Sequence, residues 1–209
     1  MIGAAHTDTT GAVLAALSAA AVGAGAVTLV WVNVLPTGHD RARDAVSDYG
    51  ASPRYRLFYR AMVVLLGLGA LLLLVALAHG TDVARGGLIW LGVYGVSRIA
   101  IAFFPTDLEG APVTPTGRVH LALAAAAFTA IAFAAADLTP SLQDQPGWEG
   151  VSGLLGVLRW AVVLMAVGTL VTRVVMQLRR VFGLVERLLY AASLAFLLTV
   201  AIEAVRVLG

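Results

Sequence analysis

Six stretches of this chain stay apolar for about 20 residues, the length a helix needs to cross the hydrocarbon core of a bilayer. They run over about 11–35, 61–78, 86–104, 119–136, 151–172 and 184–205. Burying six such helices in a soluble domain of 209 residues would leave almost no polar surface. The composition agrees: 60% of residues are hydrophobic and 12% charged, with a mean hydropathy of +0.90. A typical soluble domain is roughly 45–50% apolar and about 25% charged. These values exclude a soluble globular enzyme, a disordered chain and a nucleic-acid-binding domain. They predict an all-α polytopic membrane protein: one integral-membrane domain over 1–209, built as a six-helix bundle of three transmembrane hairpins. The absence of cysteine removes disulfides, thiolate metal sites and cysteine nucleophiles from consideration.

The net charge of +2 says little, but the placement of the 14 basic residues, all Arg, orients the chain. Segment 36–60 holds Arg41, Arg43, Arg54, Arg56 and Arg60; segment 105–118 holds Arg118; segment 173–187 holds Arg173, Arg179, Arg180 and Arg187. The opposite side has only Arg85 and Arg206. Positive charge gathers on the cytoplasmic side of spanning helices. The expectation is therefore a cytoplasmic (inner) membrane protein with both termini outside. Met1–Thr10 contains no Arg, so it lacks the positive leader of a cleavable signal, and the first stretch reads as a true span. Trp31, Trp90 and Trp148 fall near span ends, where amphipathic rings favour the interface. Ala122, Ala126, Ala130 and Ala134 recur every four residues in the fourth span, and Ala19, Gly23 and Val27 do so in the first. Such faces let helices approach closely, within one chain or between copies of a homo-oligomer.

The polar segment after the first span carries turn and cap signals. Thr37 and Asp40 have capping-box spacing, Asp40–Asp48 reads as a short polar helix, and Gly50 reads as its C-cap. Ser52-Pro53 reads as an N-cap followed by proline at the first helical position, and Thr114-Pro115 repeats that pattern. Pro105 ends the third span.

Three strings in this order carry a family resemblance: Val46-Ser47-Asp48-Tyr49-Gly50 before the second span, Phe103-Phe104-Pro105-Thr106-Asp107 with Thr116-Gly117-Arg118-Val119-His120 around the third loop, and Gly183-Leu184-Val185-Glu186-Arg187 entering the last helix. They resemble the family catalogued as domain of unknown function 998, with Tyr49 standing where that family usually has Leu. The resemblance implies a six-helix prokaryotic membrane protein. It implies no catalytic residue, since the family has no settled activity.

Ionisable residues at membrane depth are costly and mark functional or structural sites. Asp48, Arg98, Asp107, His120, Glu186 and Arg187 all fall at the cytoplasmic ends of the predicted helices, and we expect them to form one polar cluster, with Arg98 touching Asp48 or Asp107. The alternative is a structural lock between loop and bundle. On the outer side Arg159 and Glu203 are expected to pair, with Arg206 the rival for Glu203. A metal site of His39, His120 and Asp107 lacks any metal-ligand spacing, so neither metal nor cofactor is expected. A Ser47–His120–Asp107 arrangement has no sequence motif behind it. Gly67-Leu68-Gly69 and Gly92–Gly95 are weak signals for broken helices.

Three functional readings follow. The first is binding or transport of a lipid headgroup or small anion, motivated by the inner arginines. It requires a pocket open to the inner leaflet, expected beside Arg98 and Arg187. The second is an accessory subunit with a closed polar cluster and no cavity. The third is an intramembrane hydrolase or lipid-modifying enzyme, which requires His120 bonded to Asp107 or Asp48. The partners expected are the bilayer, anionic lipid headgroups, and a second membrane protein or copy of this chain; nucleic acid is not.

Overall fold

A computed structural model describes residues 8–108 and 110–209, and every described element is helical. The seven α-helices are α1 Thr9–Val34, α2 Asp48–Ala51, α3 Arg56–Gly80, α4 Arg85–Ile101, α5 Pro115–Gln143, α6 Ser152–Val174 and α7 Phe182–Leu208. Single 3₁₀ segments, Glu149–Val151 and Met176–Val181, lead into α6 and α7. The reading that Met1–Thr10 lacks the features of a cleavable signal falls almost wholly outside the described residues.

Five helices are long and apolar enough to cross a membrane: α1, α3, α5, and α6 and α7 with their leading turns. The expected set of six is thus matched by five. The exception is α4, whose 17 residues span about 25 Å at ~1.5 Å per residue, against a hydrocarbon core of about 30 Å. It stops at Ile101 rather than Phe104 because Pro105 has no N–H and disfavours α geometry at the residue before it. The chain continues to Phe104 in tighter turns, with Ala102 N–H bonded to the Ile99 carbonyl at 3.1 Å and Phe104 N–H to that of Ile101 at 3.1 Å.

Helices adjacent in sequence pack side by side, and α7 closes the ring by packing on α1. The start of α1 and the ends of α3 and α7 meet at one end, where Gly11 and Gly80 both lie against Leu208. The loops rich in arginine meet at the other end. The interior is aliphatic, with Leu66, Leu73 and Leu77 of α3 and Phe196, Leu197 and Val200 of α7 fully buried.

Close approach between helices comes from glycines. A Cβ on Gly67 would meet the Gly95 carbonyl, and one on Gly69 would meet Val22, whose neighbour Ser18 donates its hydroxyl to the Gly69 carbonyl at 2.7 Å. So Gly67-Leu68-Gly69 and Gly92–Gly95 break no helix; α3 and α4 run through them, and Gly67, Gly69 and Gly95 supply contact surface. The expected face of α1 is corrected too. Gly11, Ala15, Ser18, Val22 and Gly25 are buried, while Gly23 faces open space. In α5, Ala130 and Ala134 are buried but Ala122 is exposed. Trp31 is exposed, whereas the Trp148 ring is fully buried.

Candidate functional site

The segment 40–51 is not the expected polar helix. Asp40 accepts the Ala42 N–H at 2.9 Å and caps a single turn, and Asp44 returns its carboxylate to the Asp40 N–H at 2.9 Å. Gly50 lies inside α2 under the Tyr59 ring, which a Cβ would strike. Ser52 begins the turn into α3 through its carbonyl, bonded to Arg56 N–H at 2.8 Å.

The start of α7 holds this segment in place. Glu186 accepts the Val46 N–H at 2.7 Å, and Leu184 N–H reaches the Ala42 carbonyl at 2.9 Å. Arg187 donates to the carbonyls of Arg41, Asp44 and Gly183 at 2.8–2.9 Å, to Asn33 at 2.6 Å and to the Tyr49 hydroxyl at 3.2 Å. A Cβ on Gly183 would collide with the Asp44 carbonyl, so glycine is what lets the loop cross here. Arg187 is thus a structural clamp, surrounded by neutral acceptors.

The loop between α4 and α5 has its own lock. Asp107 accepts both the N–H and the hydroxyl of Thr114 at 2.8 Å, and Thr114 caps α5 by accepting the Gly117 N–H at 3.0 Å. Those bonds hold the Asp107 carboxyl below the usual carboxylate range. A side chain on Gly117 would overlap that carboxylate. His120, one turn further, lies 2.7 Å from the Phe104 carbonyl through Nδ1. A carbonyl only accepts, so Nδ1 carries a proton, and in the neutral ring Nε2 is left as an acceptor. His120 is therefore bonded to neither Asp107 nor Asp48, and the arrangement required for Ser47–His120–Asp107 chemistry does not form. His39 stands at Asp44, 3.3 Å away, and edge-on to Tyr49, so the trio His39, His120, Asp107 does not gather.

Arg98 is the largest departure from expectation. It touches neither Asp48 nor Asp107. Its guanidinium is buried, donates to the Tyr190 hydroxyl at 2.7 Å, and lies 4.6–5.2 Å from the ring centres of Tyr190, Phe128 and Tyr94. The faces of three rings replace a counter-ion here. The outer pair is also corrected: Glu203 takes Arg206, whose Nε is 3.0 Å away and which also reaches the Gly147 carbonyl, while Arg159 lies over Trp160. A partner three residues along the same helix needs no rearrangement of neighbouring helices.

Between α5 and α6 lies a cavity of about 670 Å³, bounded by the first turn of α7 and the loop before α2. Its volume falls in the range of small-molecule sites. One end is charged: Asp44, Asp48, Asp107, His120 and Glu186 line it, together with Arg43, Arg118, Arg173 and Arg179. The other end is apolar, walled by Ala132, Phe133 and Ala136 of α5 and Val163 and Val167 of α6. The six expected residues thus separate. Four line this space, while Arg98 is withdrawn among the rings of Tyr94, Phe128 and Tyr190 and Arg187 into the loop clamp. Arg118, Arg173 and Thr169 were not singled out as site residues. The arginines were legible only as loop charge, and Thr169 gave no sequence signal, being one polar residue in an apolar span.

The molecule so described is a helical protein of multi-pass membrane type, with a cleft charged at one end and apolar at the other. The chain belongs to the family described as "Protein of unknown function (DUF998)", whose model matches residues 19–203. No curated protein and no solved structure matches it.

Proposed function

We propose that this is a six-span protein of the cytoplasmic membrane, both termini outside, that binds a phospholipid by its phosphate headgroup in the cleft between α5 and α6. The sixth span is α4 together with its turns to Phe104, which brings it to the roughly 20 residues a crossing needs. The observation that carries the reading is the division of one cavity into a charged end and an apolar end running along α5 to Ala136. From Gly117 to Ala136 that wall is about 28 Å long at ~1.5 Å per residue, deep enough for acyl chain as well as headgroup. Arg118 and Arg173, from two helices, stand at the charged end, and a guanidinium meets a phosphate by a two-point fork. An open cavity disfavours a purely structural subunit, and unbroken helices favour binding over transport.

The test is phospholipid retention. Protein purified in mild detergent is titrated with phosphatidylglycerol and phosphatidylethanolamine and read by native mass spectrometry. Replacing both Arg118 and Arg173 by Ala should weaken retention of both lipids about tenfold, the effect of losing ~1.4 kcal/mol. Arg98→Ala should lower the melting temperature and leave retention unchanged. Equal retention by the wild type and the double variant would remove the reading.

A further inference from the structure

The charged end of the cavity is not simply cationic. Glu186 is only 4% exposed. One of its oxygens is taken by the Val46 N–H, and the other has no donor among the described residues and lies on the cavity wall. Asp48 faces the same space with one oxygen held by the Ala45 N–H at 3.0 Å. His120, also 4% exposed, lines the same cavity; with Nδ1 spent on Phe104, Nε2 of the neutral ring is its remaining acceptor. Arg187 and Arg98 donate no hydrogen bond to these acceptors. Arg187 is used by the loop clamp, and Arg98 is bonded to Tyr190 and stands behind the Phe128 and Tyr190 rings. Two carboxylates and an imidazole lone pair therefore present acceptors, while Arg118 and Arg173 present donors, at one end of one cavity.

A buried carboxylate with a single backbone donor is left under-satisfied, and a further donor that is also a cation relieves most of that cost. Phosphate alone would satisfy the arginines and be repelled by Glu186 and Asp48. The geometry points to a zwitterionic aminophospholipid as the occupant, its phosphate on Arg118 and Arg173 and its primary ammonium on Glu186, Asp48 and His120 Nε2. This rests on the phospholipid reading above and goes beyond it by naming the headgroup. A primary ammonium offers three N–H donors to these three acceptors. A quaternary ammonium offers none, and is recognised instead by aromatic cages.

The test compares dioleoyl phosphatidylethanolamine, phosphatidylcholine and phosphatidylglycerol, each titrated into the detergent-solubilised full chain and read by native mass spectrometry. Water-soluble glycerophosphoethanolamine is a fourth arm, distinguishing headgroup alone from lipid. Phosphatidylethanolamine should bind about tenfold tighter than the other two lipids, one charge-assisted bond being worth more than ~1.4 kcal/mol. Glycerophosphoethanolamine should bind more weakly for want of chains. Glu186→Gln keeps an acceptor for the Val46 N–H and should abolish the preference without abolishing phosphatidylglycerol binding. Asp48→Asn, which keeps the bond to Ala45, should reduce the preference independently. Phosphatidylglycerol binding as tightly as phosphatidylethanolamine, or a preference that survives both variants, overturns the headgroup assignment and leaves the phospholipid reading standing. No retention of any lipid overturns both.

Discussion

Asp48 and Asp107 sit at the same end of the molecule and are shifted in opposite directions, Asp48 by burial and Asp107 by its bonds to Thr114. Burial pushes the Asp48 carboxyl up to about 6, outweighing the opposing effects of His39, the Ala45 N–H and Arg173. The folded protein holds a proton at Asp48 more tightly than the unfolded chain does. Stability from this site is therefore greatest in acid, below the unfolded value near 3.8, and is lost as pH rises through about 6. Asp107, held low by Thr114, works the other way: its contribution is present at neutral pH and lost as pH falls below the ordinary carboxylate range. We expect Asp48→Asn to raise the melting temperature at pH 7.5, by about 1–2 kcal/mol of stability, and to leave it almost unchanged at pH 4. Thermal denaturation in detergent across that range checks this, and a variant less stable at pH 7.5 would contradict it.

At the scale of elements, the three family-like strings are the pieces that fasten loops to helices. Val46–Gly50 and Gly183–Arg187 fasten to each other through Glu186, Arg187 and the narrow gap at Gly183. Phe104–Asp107 and Thr114–His120 do the same around Gly117. Helix existence was legible because apolar runs of spanning length have few other uses. The Thr114-Pro115 start was legible because capping is local. The site was legible only in part. Asp48, Asp107, His120 and Glu186 reach the cavity, but Arg98 was misplaced, because the sequence does not reveal that Tyr94, Phe128 and Tyr190 come from three helices to surround it. Charge pairing by sign alone favoured a carboxylate; ring faces are read only after packing is known. The glycines make the fastening testable. Gly183→Ala should force the loop at Arg41–Asp44 away from α7 and lower stability by about 1–3 kcal/mol, in the range of an overpacked contact. Gly23→Ala, facing open space, should cost nothing measurable. Comparable melting temperatures for the two variants would refute the role given to Gly183.

For the whole molecule, the ends of the bundle differ in kind. At one end Gly11, Gly80 and Leu208 close together, with only Arg85 and Arg206 among the basic residues on that side. At the other, the three loops that together carry the arginine excess meet around the cavity. A helical bundle with spans alternating in direction places every second loop at the same end, so one assignment of sidedness fixes all the loops. In the six-span reading proposed above, the excess of arginine at the cavity end puts that end in the cytoplasm. An even number of crossings then puts both termini outside, whereas five crossings, with α4 failing to span, would put them on opposite sides. The chain has no cysteine, so a single introduced one is the only thiol to label. In intact cells, Thr10→Cys and Gly209→Cys should both react with a membrane-impermeant maleimide, and Arg179→Cys should react only after the cells are opened. Labelling at one terminus and protection at the other would mean an odd number of crossings. It would also put the loops on either side of α4 at the same face of the membrane and break up the cavity end as drawn.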